Sequence, residues 1–303
     1  MNTTRTLSGV YAAAVTPLNL NGTLDIEGIN RLVDFLAGRG CHGLLFLGTT
    51  GEGPSFSPEE RAFILRAAAQ ARESHPELRL LAGTGTPSLD ETILLTRQAF
   101  NLGFEGAVVL PPYYFRKISD EGLFNWFDSL IKQAVPTGGK LLGYHIPPVT
   151  GIGLSLDLIA RLRDAHPNTF AGIKDSSGDA DFACQLGQRF GNDLFVLTGN
   201  DRLFSLALQN HASGCITAMA NLYSPSLRQV WEAFQSSRNS SDQQASLTAA
   251  RRILDKYPPM PPLLKALLHI QYKLPRWAVR LPLLPLPEET IPEILAALNQ
   301  VIT

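Results

Sequence analysis

The sequence predicts an α/β fold, a (β/α)8 TIM barrel followed by a C-terminal helical appendage. Two observations carry this prediction. Eight short apolar runs alternate with longer segments of helical period, and the strand signal stops after about Val230. Alternating units of this kind build either a closed barrel or a doubly wound sheet, and their number favours the barrel. The expected division is a barrel over residues 1–230 and a three-helix extension over 231–303.

The apolar runs are Val10 to Val15, Gly43 to Leu47, Leu78 to Ala82, Ala107 to Leu110, Lys140 to Tyr144, Phe170 to Lys174, Leu194 to Thr198 and Gly214 to Thr217. Each is too short for a helix, and most are almost continuously apolar, as parallel strands covered on both faces must be. The intervening segments carry helix signals. Between Asp25 and Gly40, residues Ile26, Ile29, Leu32, Val33 and Leu36 form one apolar stripe, with Gly40 as the stop. Ser57-Pro58-Glu59-Glu60 reads as a capping box with proline at the first helical position. Ser88 with Glu91 repeats the box, and Ser224-Pro225 repeats the cap followed by proline. Beyond the last strand, helices are expected over Asp242 to Lys256, Pro262 to Tyr272 and Pro287 to Ile302. Bulky apolar residues fill the proline-rich joints at Tyr257 to Pro262 and Leu281 to Pro287, so these read as rigid corners.

Composition narrows the functional classes. A hydrophobic fraction of 45% against 17% charged residues suits a globular chain with a sizeable core. A formal charge of -1 provides no electrostatic footprint for nucleic acid or an anionic membrane. Cys41, Cys184 and Cys215 are far apart and match no metal-ligand spacing. Their odd number, the short polar segment Met1 to Ser8 and the lack of any apolar run near the ~20 residues of a membrane span lead to the expectation of a soluble, cytoplasmic protein.

A parallel barrel carries its site at the C-terminal ends of the strands. Those ends read Gly48-Thr49-Thr50-Gly51-Glu52, Pro111-Pro112-Tyr113-Tyr114, Tyr144-His145, Lys174-Asp175-Ser176-Ser177-Gly178 and Gly199-Asn200-Asp201. Lys174 closes an apolar strand, where burial would disfavour its charged form and free an amine to attack a carbonyl; the bland alternative is a strand-end lysine that reaches water. Gly48 to Gly51 offers hydroxyls and backbone N–H groups suited to a carboxylate, or is simply a polar loop. It is not a phosphate-binding P-loop, because the lysine and the spacing are missing. Tyr144 is either a proton donor and acceptor or a satisfied core tyrosine. These ordinary readings weaken together, because all the residues fall at one end of one barrel.

In this order and on these strands, the strings resemble the class I pyruvate-dependent aldolases that include dihydrodipicolinate synthase and N-acetylneuraminate lyase. The resemblance runs from Gly9-Val10-Tyr11-Ala12-Ala13-Ala14-Val15-Thr16-Pro17 through Gly48 to Glu52, Pro112-Tyr113-Tyr114, Tyr144-His145-Ile146-Pro147, Gly172-Ile173-Lys174-Asp175 and Gly199-Asn200-Asp201 to Gly214-Cys215-Ile216. It implies that Lys174 forms an imine with pyruvate or another 2-oxo acid. Thr49 and Thr50 would hold the carboxylate, and Tyr144 would move the protons. Thr50 would link Tyr144 to Tyr114, the latter supplied by the neighbouring subunit. Gly199, Asp201 and Ile216 join the substrate-binding set. The resemblance further implies a homotetramer, an aldehyde as second substrate, and no metal or organic cofactor, since the protonated imine is itself the electron sink.

Some residues depart from the family pattern. Where the synthase branch reads Tyr-Asn-Val-Pro-x-Arg-Thr-Gly, this chain has Tyr144-His145-Ile146-Pro147-Pro148-Val149-Thr150-Gly151. Val149 cannot pair the second carboxylate of a semialdehyde, which counts against dihydrodipicolinate synthase proper. Arg202 after Asp201, and Ala218 near a serine of the lyase branch, count against sialic acid. The expectation is aldol cleavage or condensation of a smaller 2-keto-3-deoxy or 4-hydroxy-2-oxo acid. The alternatives are the synthase itself, a 2-keto-3-deoxy sugar acid dehydratase, or a non-catalytic 2-oxo-acid-binding barrel. His145 is read as a specificity contact or second proton donor, or else as a histidine bonded to backbone behind the site. Arg116 and Arg202 are read as anion contacts or as solvated surface residues.

Overall fold

The computed structural model describes residues 7–302. The expectation placed on the N-terminal segment concerns mainly residues 1–6, which lie outside the described residues. Eight parallel strands close into a barrel in sequence order: β1 (Gly9–Ala13), β2 (Gly43–Phe46), β3 (Arg79–Gly83), β4 (Gly106–Val109), β5 (Lys140–His145), β6 (Phe170–Asp175), β7 (Phe195–Thr198) and β8 (Gly214–Thr217), with β1 pairing β8. Every expected strand is present, displaced at its ends by one or two residues at most. Successive side chains alternate between the two faces of the wall. Tyr11, Leu45, Leu81, Val108, Leu142, Tyr144 and Ile216 fill the interior, while Val10, Leu44, Phe46, Leu80, Leu141 and Ile173 pack outward under the helices.

The helices are α1 (Ile26–Gly38), α2 (Pro58–Ala71), α3 (Leu89–Asn101), α4 (Asp120–Ala134), the single turn α5 (Pro147–Thr150), α6 (Leu156–Ala165), α7 (Ala180–Phe190), α8 (Phe204–Gln209) and α9 (Ala220–Gln235). Their starts follow the expected chemistry. Asp25 caps α1 by accepting from the Gly28 N–H, and the chain leaves that helix through Gly40 at φ +84. At α2 both halves of the Ser57–Glu60 box are formed. At α3 Ser88 accepts from the Glu91 N–H. The Ser224-Pro225 start is different. Helix α9 already begins at Ala220 and breaks at Tyr223 (φ -123, ψ 32) immediately before Ser224, so the proline resumes a helix instead of opening one.

The last part of the chain contributes α10 (Ser241–Leu254), α11 (Met260–Tyr272) and α12 (Ile291–Asn299). The expected division at residue 230 falls within α9, whose apolar stripe continues to Ala233 before the polar run Ser236 to Ser240. Leu247, Leu254, Leu263, Leu267 and Ile294 join the same buried cluster as the outer faces of β1 and β2. Polar contacts reinforce this packing: the Trp277 Nε1–H donates to Asp25 at 3.0 Å and the Tyr272 hydroxyl to the Leu222 carbonyl at 2.7 Å. The C-terminal helices therefore lean on the barrel, and the joints between them reach over the mouth where the strands end.

Candidate active site

The C-terminal strand ends open into a cavity of about 450 Å³, which holds Lys174, Tyr144, Thr49, Thr50 and Ser176 together. Lys174 and Tyr144 are direct neighbours in the β5–β6 register, and the pleat turns both inward. Each is almost wholly buried, at 3% and 4% exposure. The ammonium nitrogen of Lys174 lies 4.0 Å from the centre of the Tyr144 ring. The Tyr144 hydroxyl meets Thr49 Oγ1 at 3.3 Å. Burial pushes the Tyr144 phenol up, but the Lys174 charge and hydrogen bonds from Thr49, Lys174 and Ser176 outweigh it and leave the group below its ordinary value. A phenol poised this way next to an amine can both give and take a proton.

The loop after β2 owes its shape to two residues in the left-handed region, Leu47 (φ 59) and Glu52 (φ 57), which bracket Gly48 to Gly51. Such conformations in non-glycine residues persist only where the surroundings hold them. Here Thr16 Oγ1 donates to the Gly51 carbonyl at 2.6 Å. The carboxylate of Glu52 receives Lys265 Nζ at 2.5 Å and the Arg280 N–H at 2.7 Å. Gly53 must be glycine, since a Cβ there would lie 2.0 Å from the Leu47 carbonyl oxygen. The loop that presents Thr49 and Thr50 is thus fixed from behind by the C-terminal part of the chain. On the opposite side Gly199 donates its N–H to the Asp175 carbonyl and leaves room for Ser176, whose Oγ would stand 1.9 Å from a Cβ at 199.

A family model described as the dihydrodipicolinate synthetase family matches residues 6–301. The chain belongs to this family. It is 38% identical to an uncharacterized DapA-like lyase of Chloroflexus aurantiacus, over 97% of this chain and 96% of the relative. It is 31% identical to a 4-hydroxy-tetrahydrodipicolinate synthase of Moorella thermoacetica, over 96% and 97% of the two chains. Its fold is similar to that of YagE, a prophage protein of the dihydrodipicolinic acid synthase family from E. coli K12 in complex with pyruvate, with a TM-score of 0.91 and 26% identity over 97% and 98% of the chains. The chain is accordingly an enzyme, a lyase of the dihydrodipicolinate synthetase family.

Several expectations about individual residues change in this family member. The hydroxyl that meets Tyr144 is that of Thr49, not Thr50; Thr50 lines the cavity beside it. Tyr114 is 74% exposed on the loop after β4, edge-on to Phe115, and does not line this chain's own cavity. Ile216 and Gly199 do line it. Asp201 does not: it is fully buried and turned toward α10, where Arg251 Nη1 reaches it at 2.6 Å. His145 also lies outside, because it follows Tyr144 on the strand and so faces the helices. Its ring stacks on Phe182 at 4.3 Å, its Nδ1 accepts from the Leu154 N–H at 2.9 Å, and burial lowers it to about 4. It is the backbone-bonded histidine of the two readings. Arg116 and Arg202 are exposed and away from the cavity lining.

Three contributions escaped the sequence reading. Arg251 lines the cavity while bonded to Asp201 and Asp255; Lys265 is buried against Glu52; and Met260, Pro282 and Leu283 form the outer wall. Lys265 had a visible signal, a single charge inside the apolar run Pro262 to Leu268. Arg251 had none, since it follows Ala249-Ala250 on a helix with an ordinary polar face. A second cavity, of about 360 Å³ between α11 and α12, holds none of the strand-end residues. No helix of the described residues is long and apolar enough to cross a membrane.

Proposed function

We propose that this chain is a Schiff-base lyase that joins a 2-oxo acid of the pyruvate type to an aldehyde, or cleaves the corresponding aldol. The observation that carries this reading is the buried pair of Lys174 and Tyr144, with the Lys174 nitrogen 4.0 Å from the ring and the phenol bonded to Thr49. Nζ of Lys174, as the free amine, adds to C2 of the oxo acid, and Tyr144 delivers a proton to the oxygen, which leaves as water. The C2=N imine then accepts the electron pair when a C3 proton is removed, giving an enamine. C3 of the enamine attacks the aldehyde carbon, Tyr144 protonates the new alkoxide, and water hydrolyses the imine to release product and restore the amine. Thr49 and Thr50 hold the carboxylate at C1 through their hydroxyls and backbone N–H groups. No metal or organic cofactor enters this scheme.

Val149 at the position of the synthase arginine supports an aldol partner other than a semialdehyde bearing a second carboxylate. Tyr114, exposed here with Phe115, completes the Thr49–Tyr144 relay of a neighbouring subunit in this reading, within a homotetramer; residues 231–303 form the wall over the mouth. The deciding experiment is borohydride reduction in the presence of pyruvate, followed by intact-mass measurement and peptide mapping. A pyruvyl adduct on Lys174 supports the imine, and folded protein that traps no oxo acid refutes it. Product analysis then separates the aldol reaction, which yields pyruvate plus an aldehyde, from a dehydration, which yields a deoxygenated oxo acid.

A further inference from the structure

We propose that the aldehyde partner carries an uncharged, apolar tail of about the size of an aromatic ring, which selects among the 2-keto-3-deoxy and 4-hydroxy-2-oxo acids expected from sequence. This rests on the imine reading above and concerns the part of the cavity that lies beyond it. The floor is polar: Lys174, Tyr144, Thr49, Thr50 and Ser176 suffice for the carboxylate, C2 and the nascent hydroxyl of an aldol. The rest of the 450 Å³ exceeds what a three-carbon oxo acid fills and is walled by Ile146, Val149, Ile216, Met260, Pro282 and Leu283. Val149 lines this space and is 58% exposed, so an apolar tail that covers it removes hydrophobic surface from water.

The charges and donors around the wall strengthen the assignment. Besides Lys174, the charged side chains lining the cavity are Glu52 and Arg251. Glu52 is held by Lys265 and the Arg280 N–H. Arg251 is held by Asp201 at 2.6 Å and Asp255 at 2.7 Å. A distal carboxylate or phosphate would therefore shed its water beside an arginine already flanked by two carboxylates. A polyhydroxylated tail fares little better. Pro259, Pro261 and Pro282 line this side and have no N–H to donate, which leaves Asn200 and Ser55 as the uncharged polar side chains there. A hydroxyl stripped of water without a partner costs binding, whereas a ring or branched alkyl group does not face that loss.

The test uses the full chain, sodium borohydride and two oxo acids that differ at the tail, 2-oxo-4-phenylbutanoate and 2-oxoadipate, with pyruvate as reference. Each ketone condenses with the Lys174 amine and loses water; hydride then adds to C2 and a proton to nitrogen, leaving a secondary amine whose mass identifies the acid. Trapped fraction against concentration gives a half-saturation value for each. The phenyl-tailed acid is expected to half-saturate at a concentration about tenfold below that of the carboxylate-tailed acid. The variant Val149→Arg, at an exposed position, is expected to narrow that gap to a few fold. Equal values, or tighter trapping of 2-oxoadipate, while pyruvate still labels Lys174, would overturn the apolar assignment alone. Absence of label from all three acids on folded protein would overturn the imine and the tail assignment together.

Discussion

Lys265 offers the sharpest stability test, because its partner sits behind the loop that carries Thr49 and Thr50. The two side chains are 1% and 0% exposed, and Nζ lies 2.5 Å from the Glu52 carboxylate and 2.6 Å from the Ala278 carbonyl. Lys265→Met keeps the length and apolar stem but removes the charge, leaving Glu52 buried with one remaining partner, the Arg280 N–H. Removing one member of a buried pair costs about 3–5 kcal/mol, and the surviving bond argues for the lower end, about 3 kcal/mol. For a chain of 303 residues that corresponds to a fall of about 5 °C in Tm. Thermal unfolding of the single variants and of Glu52→Gln/Lys265→Met reads the effect. The double variant should lose much less than the two singles added together, since no charge is then left unpaired. A loss below about 1 kcal/mol for Lys265→Met, or additive losses, would show that water solvates Glu52 and that the pair does not secure the loop.

Other predictions address the chemistry and the pH dependence. Tyr144→Phe should lower turnover by about 10²–10⁴-fold with a smaller change in pyruvate half-saturation, as loss of a proton-transfer group does; Thr49→Val should follow it in direction and Thr49→Ser should recover, and an unchanged rate in either Val or Phe variant removes that residue from the relay. His145 is about 4 in the folded chain against an ordinary 6.5, so the unfolded chain takes its proton first. That contribution is present above about pH 6.5 and is lost progressively as pH falls to about 4, for a total of about 3 kcal/mol in unfolding free energy; denaturant titrations of the parent and His145→Asn should differ in slope across this window, and parallel slopes refute the assignment. Co-expression of Tyr114→Phe with Lys174→Ala chains should restore activity that neither has alone, because a mixed assembly contains one site with an intact lysine and an intact neighbour tyrosine; failure to complement would remove Tyr114 from the site.

The barrel was legible because its signals are local. Each strand is a short apolar run, and caps such as Asp25 and Ser57 satisfy N–H groups only a few residues away. Inward and outward faces could also be read once the strand was known: Tyr144 and Lys174 fall on the interior side by alternation, and the same alternation sends His145 outside. Its position directly after Tyr144 in the chain thus puts His145 beside the site in sequence but behind the wall in space. The choice between Thr49 and Thr50 was of another kind. It depends on a loop that leaves the strand through left-handed residues, where period-2 reasoning stops and only three-dimensional geometry tells which hydroxyl points at Tyr144.

What sequence could not convey is the construction of the outer wall. Met260 opens α11, Pro282 and Leu283 lie in the joint before α12, none carries a strand-end signal, and they reach the mouth because α10, α11 and α12 fold back on the barrel. Arg251 arrives by the same route and takes up Asp201, a carboxylate that the sequence places among the expected substrate contacts. The departure at Val149 and the diversion of Asp201 are therefore coupled in effect. One removes a cation that would greet a distal carboxylate, the other withdraws an acceptor that would greet a distal hydroxyl, and both leave the buried Lys174–Tyr144 pair untouched. On this account the imine chemistry proposed for Lys174 sits on the strands, where the register fixes it, and partner choice is delegated to the short helix after β5 and to the C-terminal helices and joints, where substitution leaves the amine and phenol in place.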